Sequence, residues 1–536
     1  MIWYTIAITV LVGALAVPAT MFALRYQLHM FQLNGYSYVE HGNWLKKNLK
    51  THWLLAWDLL LGAAGLVTGL LVQVTAVEIV LDVLMVLSLA LTILIYNVLR
   101  GIKAKKKLVY TARVKRMIVT DCLLMAGGIA AVVLTGNWPV LGGCFTALTG
   151  IQLFILFAVN GINRPAELAV SRYYINDAKR ILRKNPNLTV IGVTGSYGKT
   201  SVKFYLKTLL EGHFNVLVTP ESYNTPMGVV KTIRGMMRPE HEIFVCEMGA
   251  KKVGDIRAVC RIVHPQHGLI TSIGPQHLET FFTMKNIQKT KFELADSLPK
   301  GGLLFANGDN EYICEKAAEG RYDACHKVFY HSEKQGEGYY AKDVTVSQLG
   351  TEFTVVAPDG GEVRFSMRLV GAHNVINVVG AIAVAHELGI PMEELKLGVR
   401  RIEPVAHRMQ LLERGAVTII DDAYNSNPVG SKAAVETLAL FAGTRILITP
   451  GMVELGVKEE EFNYLFGTYA AECCDYIALV GRKHTEPILK GILEKGFDPG
   501  RCQVFDRFED AMNYANSLKT EEHKYILLEN DLPDNY

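Results

Sequence analysis

Charge is scarce in this sequence. Of 536 residues, Lys plus Arg number 55 and Asp plus Glu 52, so 20% are charged and the formal net charge is +3. A soluble globular domain carries about 25% charged residues, which makes this average low for a purely cytosolic protein. Half the residues are hydrophobic, which excludes intrinsic disorder, a state that needs low hydrophobicity and high net charge. The balance of signs leaves no basic footprint for nucleic acid, and no such partner is expected. Cysteine is sparse as well. The nine cysteines (Cys122, Cys144, Cys246, Cys260, Cys314, Cys325, Cys473, Cys474 and Cys502) form no CxxC pair and have no histidine at metal-like spacing. That excludes a zinc ribbon or a disulfide scaffold and fits reduced thiols in a cytosolic compartment. Internal repeats and low-complexity tracts are missing too. The length allows two to four domains.

What is abundant is apolar sequence at the front. Residues 2–24 carry no charge, and about 20 helical residues cross a bilayer core of about 30 Å. Similar runs at 53–74, 77–99, 117–136 and 140–162 make five predicted spans in residues 1–162. The first run lacks the basic start of a signal peptide and is followed by four more, so a retained helix is expected. Asp58, Asp82 and Asp121 lie near span ends, where a carboxylate can reach the headgroups; the alternative is a functional intramembrane acid.

Loop charge sets the orientation. The loop after the third run holds Arg100, Lys103, Lys105, Lys106, Lys107, Arg113, Lys115 and Arg116. That after the first holds Arg25, Lys46, Lys47 and Lys50. A basic linker, 163–187, holds Arg164, Arg172, Lys179, Arg180, Arg183 and Lys184. The connections near 75 and 138 hold none. A multi-pass protein follows, N-terminus outside and residues 163–536 cytoplasmic. The basic loops could also bind a lipid phosphate or pyrophosphate headgroup, although orientation alone accounts for them.

After Pro186 short strand-like runs (188–193, 214–219, 242–249, 267–273, 302–307) alternate with helical stretches such as 200–212, 285–298 and 374–388. A second set (417–421, 445–451, 476–481, 524–530) follows Arg408. The alternation predicts α/β architecture with parallel sheets: a central P-loop α/β domain over 188–404 and a Rossmann-like α/β domain over 405–536.

The first strand runs into Gly192-Val193-Thr194-Gly195-Ser196-Tyr197-Gly198-Lys199-Thr200, and a helix follows. Strand, glycine-rich turn and helix N-terminus together make a phosphate cradle. Lys199 would lie against the β- and γ-phosphates and Thr200 would ligate Mg²⁺. Val193 stands where the strict Walker spacing has its first glycine.

This loop resembles G-x-T-G-[ST]-x-G-K-T of the Mur ligase superfamily, and further matches come in that family's order, most like its D-alanyl-D-alanine-adding branch. Thr219-Pro220, Asn224-Thr225 and Gly228 match one segment. Glu247-Met248-Gly249-Ala250 resembles E-x-G-A, and Gly274-Pro275-Gln276-His277-Leu278-Glu279 resembles G-P-x-H-L-E. Lys289 to Glu293 is similar to the A-K-G-E helix, Asn307-Gly308-Asp309 to N-x-D, and Gly371-Ala372-His373-Asn374 with Asn377 to G-x-H-N-x-x-N. His407-Arg408-Met409 is similar to G-R-M. Asp421-Asp422-Ala423-Tyr424-Asn425-Ser426-Asn427-Pro428 resembles D-D-x-Y-N-A-N-P, and Pro450-Gly451-Met452 with Glu454-Leu455-Gly456 resembles G-x-M-x-E-L-G. The likeness covers about 188–530.

The resemblance implies an ATP-dependent acid–amino-acid ligase of a bacterial cell membrane. It would use ATP and Mg²⁺ to join an amino acid or short peptide to a cell-envelope precursor, itself lipid-linked or not. Lys199, Glu247, His277, Lys291 and Arg408 are implied as catalytic, with Lys291 a possible carbamoyl-lysine or else an ordinary surface lysine. Nucleotide binding falls to Thr194–Ser201, Asn307, Arg408 and Asp422; metal binding to Thr200, Glu247, His277 and Lys291; and substrate contacts to Asn224, Thr225, Tyr424, Asn425 and Ser426. His373 and Asn374 are either site residues or helix-start polar groups. Nothing marks an oligomeric state.

Two departures qualify this. Five spans and a basic linker stand where the family carries a UDP-binding domain. Leu527-Leu528-Glu529-Asn530-Asp531 followed by Asp534 stands where a K-G-S-R-type segment is expected, which exchanges cations for acids and suits a cationic group on the incoming amine. A polyglutamate-type poly-amino-acid synthase is one alternative, and a non-catalytic nucleotide-responsive membrane scaffold is another.

Overall fold

A computed structural model describes residues 2–71, 75–101, 107–134, 136–334, 336–424 and 426–531. Asn425, the loop residues Lys103, Lys105 and Lys106, and the chain end with Asp534 lie outside these. The chain divides into two compact units, Met1–Arg172 and Tyr173–Leu532.

The first unit is helical. Its long runs, poor in charge and free of helix-breaking clusters, form Ile2–Leu33, Tyr38–Asn48, Trp53–Leu71, Thr75–Gly101, Ala112–Val133, Trp138–Gly150 and the start of Ile155–Arg183. Ser37, Thr111 and Asn137 cap three of them, each accepting a backbone N–H from three residues on. Among the described residues, four helical segments are long and apolar enough to cross a membrane (Trp3–Leu33, Tyr38–Leu70, Ala76–Leu99 and Ala112–Val133). Val140–Leu153 with Ile155–Arg183, bent by 71°, gives a fifth if the pair is one span. The stretch expected as a linker from 163 is therefore helical to Arg183.

Small residues let two of these helices touch backbone to backbone. A Cβ on Gly62 would sit 2.2 Å from the Ala147 nitrogen, and one on Gly150 2.2 Å from the Leu59 nitrogen. Two of the acids expected to reach the headgroups turn inward instead. Asp58 is fully buried and takes hydrogen bonds from the Ser88 and Thr92 hydroxyls. Asp121 is buried and accepts from Gln152 Nε2 at 3.3 Å. Polar partners on neighbouring helical segments hold both carboxylates inside the unit.

The second unit carries two sheets. The larger contains β1 (Thr189–Thr194), β2 (Val216–Val218), β3 (Ile243–Glu247), β4 (His267–Ile270), β5 (Leu303–Asn307), β6 (His326–His331), β7 (Tyr339–Ser347), β8 (Gly350–Val356) and β9 (Glu362–Met367). Their order is β2-β3-β1-β4-β5-β6-β7-β8-β9, parallel through β7 and antiparallel beyond it. The smaller contains β10 (Gln410–Arg414), β11 (Val417–Asp422), β12 (Thr444–Thr449), β13 (Tyr476–Val480), β14 (Cys502–Phe505) and β15 (Lys524–Glu529). They run β10-β11-β15-β12-β13-β14, all parallel except β10.

The central strands read as unbroken apolar runs because both faces are covered. β1 buries Val190 to Thr194, and helix Lys199–Leu210 lays Val202, Leu206 and Leu209 against them. The hairpin region β7–β9 alternates: β9 buries Val363, Phe365 and Met367 and exposes the residues between. In both sheets the polar candidates sit where strands end and loops begin, the carboxyl edge at which ligands enter open α/β sheets.

Candidate active site

β1 ends at Thr194, and residues 195–198 turn the chain into helix Lys199–Leu210. Gly198 has φ +80°, left-handed backbone that glycine adopts without strain. A Cβ on Gly195 would lie 2.0 Å from Thr271 Oγ1, so the loop can only press this close to the β4 end without a side chain. The loop is pinned from that side. Ser196 N–H donates to the Ser272 carbonyl at 2.7 Å, Tyr197 N–H to Ser272 Oγ at 2.9 Å, and Tyr197 hydroxyl to the Pro275 carbonyl at 2.7 Å. Ser196 Oγ bonds Gly274 on both its carbonyl and its N–H, and Thr194 Oγ1 donates to the Met248 carbonyl at 2.9 Å. These hydroxyls shape the cradle. What remains for an anion is the backbone of the first helical turn, whose N–H groups have no intrahelical partner, and Lys199. Ser201, also in that turn, is buried.

Lys199 Nζ donates to the Ser196 carbonyl at 2.8 Å, closing the loop. Burial pushes its ammonium down to about 8, Glu247 working the other way and Arg408 adding to the fall. Thr200 Oγ1 donates to Glu247 Oε1 at 3.2 Å. Glu247, at the end of β3, is buried and also accepts from Asn224 Nδ2 at 3.0 Å and Lys203 Nζ at 2.9 Å. Burial pushes its carboxyl up, but Lys203 and Lys199 outweigh that and hold it below the usual range. Two hard oxygens within hydrogen-bonding distance, one an ionised carboxylate, fit a Mg²⁺ ion.

The other metal candidates are placed differently. His277 Nδ1 pairs with Glu454 Oε2 at 2.5 Å, linking the loop after β4 to that after β12. Both residues have positive φ, 51° and 63°. Lys291 is buried at the end of helix Met284–Lys291 and has no hydrogen-bond or ion-pair partner among the described residues. Burial first, then Lys199, drives its ammonium well down, against the pull of Asp255, Glu247 and Glu293. It is therefore not an ordinary surface lysine. Among the described residues no three His, Cys, Asp or Glu side chains are arranged around one metal position. The structure thus joins Thr200 with Glu247 but leaves His277 on Glu454.

From the smaller sheet, Arg408 Nη2 donates to Thr200 Oγ1 at 3.4 Å, and its guanidinium lies 4.6 Å above the Tyr424 ring. Asp422 accepts from Met409 N–H at 3.2 Å; burial, with Glu529 next, pushes its carboxyl up to about 7. Ser426 is held by the chain end, its Oγ donating to Glu529 and its N–H to Asn530 Oδ1 at 3.0 Å. Thr449 Oγ1 bonds the other Glu529 oxygen at 2.6 Å. Glu529 is buried and satisfied rather than turned toward a substrate amine, and the expected acid-for-cation exchange is internal at this position.

Asn307 is likewise committed, donating to the Thr271 carbonyl and accepting from Asp309 N–H. Asn374 bonds Tyr205 hydroxyl and the Val370 carbonyl. His373 Nδ1 is buried without a partner, and burial lowers the ring to about 4, keeping it neutral. Thr225 caps helix Pro226–Met236 through Gly228 N–H. Asn425 lies outside the described residues.

Lys203, fully buried against Glu247, is the residue sequence reasoning missed. Its i+4 spacing from Lys199 puts both on one helix face. Glu454 appeared only inside a motif, and its pairing with a loop 177 residues earlier had no local sign.

The Mur ligase middle domain matches residues 193–385, and the Mur ligase, glutamate ligase domain matches 407–529; together they cover more than half of the chain. The chain belongs to the Mur ligase family. Members form amide bonds at the expense of ATP, with Mg²⁺, releasing ADP and phosphate. This Mur ligase is 29% identical over 335 residues to UDP-N-acetylmuramoyl-tripeptide--D-alanyl-D-alanine ligase of Escherichia coli, covering 60% of this chain and 72% of that enzyme. It is 33% identical over 283 residues to the Bacillus subtilis enzyme of the same name, covering 51% and 58%. Among solved structures, MurF from Acinetobacter baumannii superimposes with TM-score 0.61 at 23% identity over 67% of this chain and 77% of that one. MurF from Thermotoga maritima in complex with ADP gives 0.59 at 23%, over 67% and 80%. The chain is a Mur ligase close to MurF, with an α/β fold of that type.

Proposed function

We propose that this chain is a membrane-bound, MurF-like peptide ligase, its helical unit inserted with the N-terminus outside and the α/β unit cytoplasmic. The domain boundaries are then a membrane part to about 162, a nucleotide-binding part over 188–404 and a C-terminal part from 405. The observation that carries the ligase reading is Thr200, which lies in the glycine-loop helix between Glu247 from the larger sheet and Arg408 from the smaller one. A γ-phosphoryl group seated on the loop would meet cations from two sheets.

Phosphoryl transfer is catalysed mostly by positioning and by charge stabilisation. Lys199 would lie along the β- and γ-phosphates. Arg408, steered by the Tyr424 ring, would neutralise charge as the acceptor carboxylate displaces ADP to give an acyl-phosphate. The incoming amine then attacks the acyl carbon, phosphate leaves and the amine loses a proton; Asp422, poised near neutrality, is the group at the cleft suited to take it. Thr200 and Glu247 would hold Mg²⁺, which supplies charge neutralisation between the phosphates. Lys291, a buried lysine with no partner, suits carbamoylation, because reaction of its neutral amine with CO₂ would exchange a disfavoured cation for an anion beside Lys199. Asn224, Thr225 and Ser426 would then contact the acceptor and the amine.

The relatives' name supplies the substrate class: a muramyl-peptide carboxylate and an amino acid or dipeptide amine. A helical unit in the bilayer would suit an acceptor carried on a lipid. Mass spectrometry of envelope precursors from cells with and without the protein tests this. The expected result is a muramyl peptide lacking one amino acid or dipeptide when the protein is absent. Loss of a poly-amino-acid polymer with intact muramyl peptides would overturn it.

A further inference from the structure

The ligase reaction leaves a set of buried polar side chains in the first unit without a role. Asp58 is fully buried on helix Trp53–Leu71, its two oxygens taken by Ser88 and, at 2.7 Å, Thr92. One turn further along helix Thr75–Gly101, the Tyr96 hydroxyl meets His52 Nδ1 at 2.8 Å. The other ring nitrogen of His52 has no hydrogen-bond partner, although the side chain is fully buried, and Gln27, also fully buried, lies beside the Tyr96 hydroxyl. An unsatisfied buried polar group costs about 1–3 kcal/mol, and each such orphan calls for a small polar occupant such as water.

These groups are aligned. Glu78, Asp82, Met85, Ser88, Thr92 and Tyr96 recur at three- and four-residue spacing along one face of helix Thr75–Gly101. At one end of that face Glu78 and Asp82, with Tyr4, Thr5, Thr9 and Thr68, line a cavity. Gly65, seven residues from Asp58 on its helix, lines it too. Met85 also lines the cavity and packs with Leu61 and Leu89 in one apolar cluster; Leu61 lies between Asp58 and Gly65 on their helix, and Met85 between Asp82 and Ser88 on theirs. At the other end stand Tyr96 and His52, with Tyr26, His41 and Trp44 around them. No lysine or arginine pairs with Asp58 among the described residues. The basic residues Lys46, Lys47 and Lys50 mark the His52 end as the cytoplasmic one under the orientation proposed above.

We infer that this track is a proton site: Asp58 takes a proton from water admitted at the Glu78–Asp82 cavity and yields it on the His52 side. The inference rests on the membrane reading above. Only a proton moves. It neutralises the carboxylate on arrival and restores it on departure, water is returned unchanged, and no co-reactant is consumed. The apolar layer at Met85 makes passage slow and gated, as hydrophobic constrictions do.

The test uses the full-length chain in phosphatidylethanolamine–phosphatidylglycerol vesicles enclosing pyranine, with a valinomycin-set potassium potential. Internal acidification faster than in protein-free vesicles is expected, falling to the protein-free rate in Asp58→Asn and to an intermediate rate in Thr92→Val. Wild-type flux no faster than that of protein-free vesicles, or Asp58→Asn as fast as wild type, overturns the proposal. If Asp58→Asn fails to incorporate, wild-type protein treated with dicyclohexylcarbodiimide decides: an adduct on Asp58 with flux blocked supports the site, and undiminished flux through labelled protein sinks it. Density-gradient flotation separates the two readings. Protein that does not float with the vesicles removes the membrane reading and this one with it, whereas protein that floats without flux removes only this one.

Discussion

The two units solve the burial of polar groups in opposite ways. The α/β unit hides an ion pair, Lys203 with Glu247, at the centre of its site and keeps apolar side chains inside. The helical unit turns Val10, Met21, Leu60, Leu87, Leu94 and Leu123 outward and keeps Asp58, Gln27, His52 and Thr92 within. An exterior of this kind fits lipid, where polar groups must find partners inside. In the α/β unit the buried Glu247 charge has an opposite charge beside it, as a buried charge requires. One chain therefore reads as two solvents.

The sharpest way to break this comparison is to remove one buried partner from each unit. Lys203→Met leaves the Glu247 carboxylate buried without its ion-pair partner and should destabilise the α/β unit by about 3–5 kcal/mol, seen as a lower unfolding midpoint by hydrogen exchange across β1 and β3. Asp58→Asn keeps the shape and one acceptor oxygen, so one of the two hydroxyls must turn to accept from the new amide, and the change should cost only about 0.5–1.5 kcal/mol in the helical unit. Equal losses would show that the two interiors are alike.

Lys199→Ala should lower ligation by about 10²–10³-fold, the cost of removing one charge-stabilising donor, without changing vesicle incorporation. Glu454→Gln removes the carboxylate from His277 and weakens a charge-assisted bond of about 1.5–3 kcal/mol. Turnover should fall while the midpoints of β1 and β3 stay where they were, because the contact joins two loops rather than a core.

The smallest effect is a pH dependence. Lys199 is held at about 8, below its ordinary 10.5. Between those values the unfolded chain binds a proton that the folded chain has lost, so this group raises stability as pH climbs from 8 to 10.5. Nucleotide affinity should move the other way, weakening above pH 8 as the cation is lost. Titration calorimetry with ADP at pH 7 and pH 9 should show it, and Lys199→Ala should flatten it.

The sequence made much of this legible. Uncharged runs showed where the long helices lie, and the strand–glycine turn–helix order placed the phosphate cradle, because both signals are local. Pairings between distant segments were not visible. Glu454 reaches His277 and Ser426 reaches Glu529 only once loops from separate strands share one sheet edge. Asp58 looked like a headgroup-seeking acid, since no local pattern shows that Ser88 and Thr92 face it. The antiparallel hairpins β7–β9 are not among the expected strands, although β9 alternates strictly between buried and exposed residues.

The central proposal is ATP-dependent amide formation by a chain whose helical unit sits in a membrane. Phosphate release from ATP by the full-length protein in vesicles tests it most directly, with a muramyl-peptide carboxylate and an amine added separately and together. The account predicts release that needs both substrates and vanishes in Lys199→Ala. Release that needs neither and survives that substitution would contradict it.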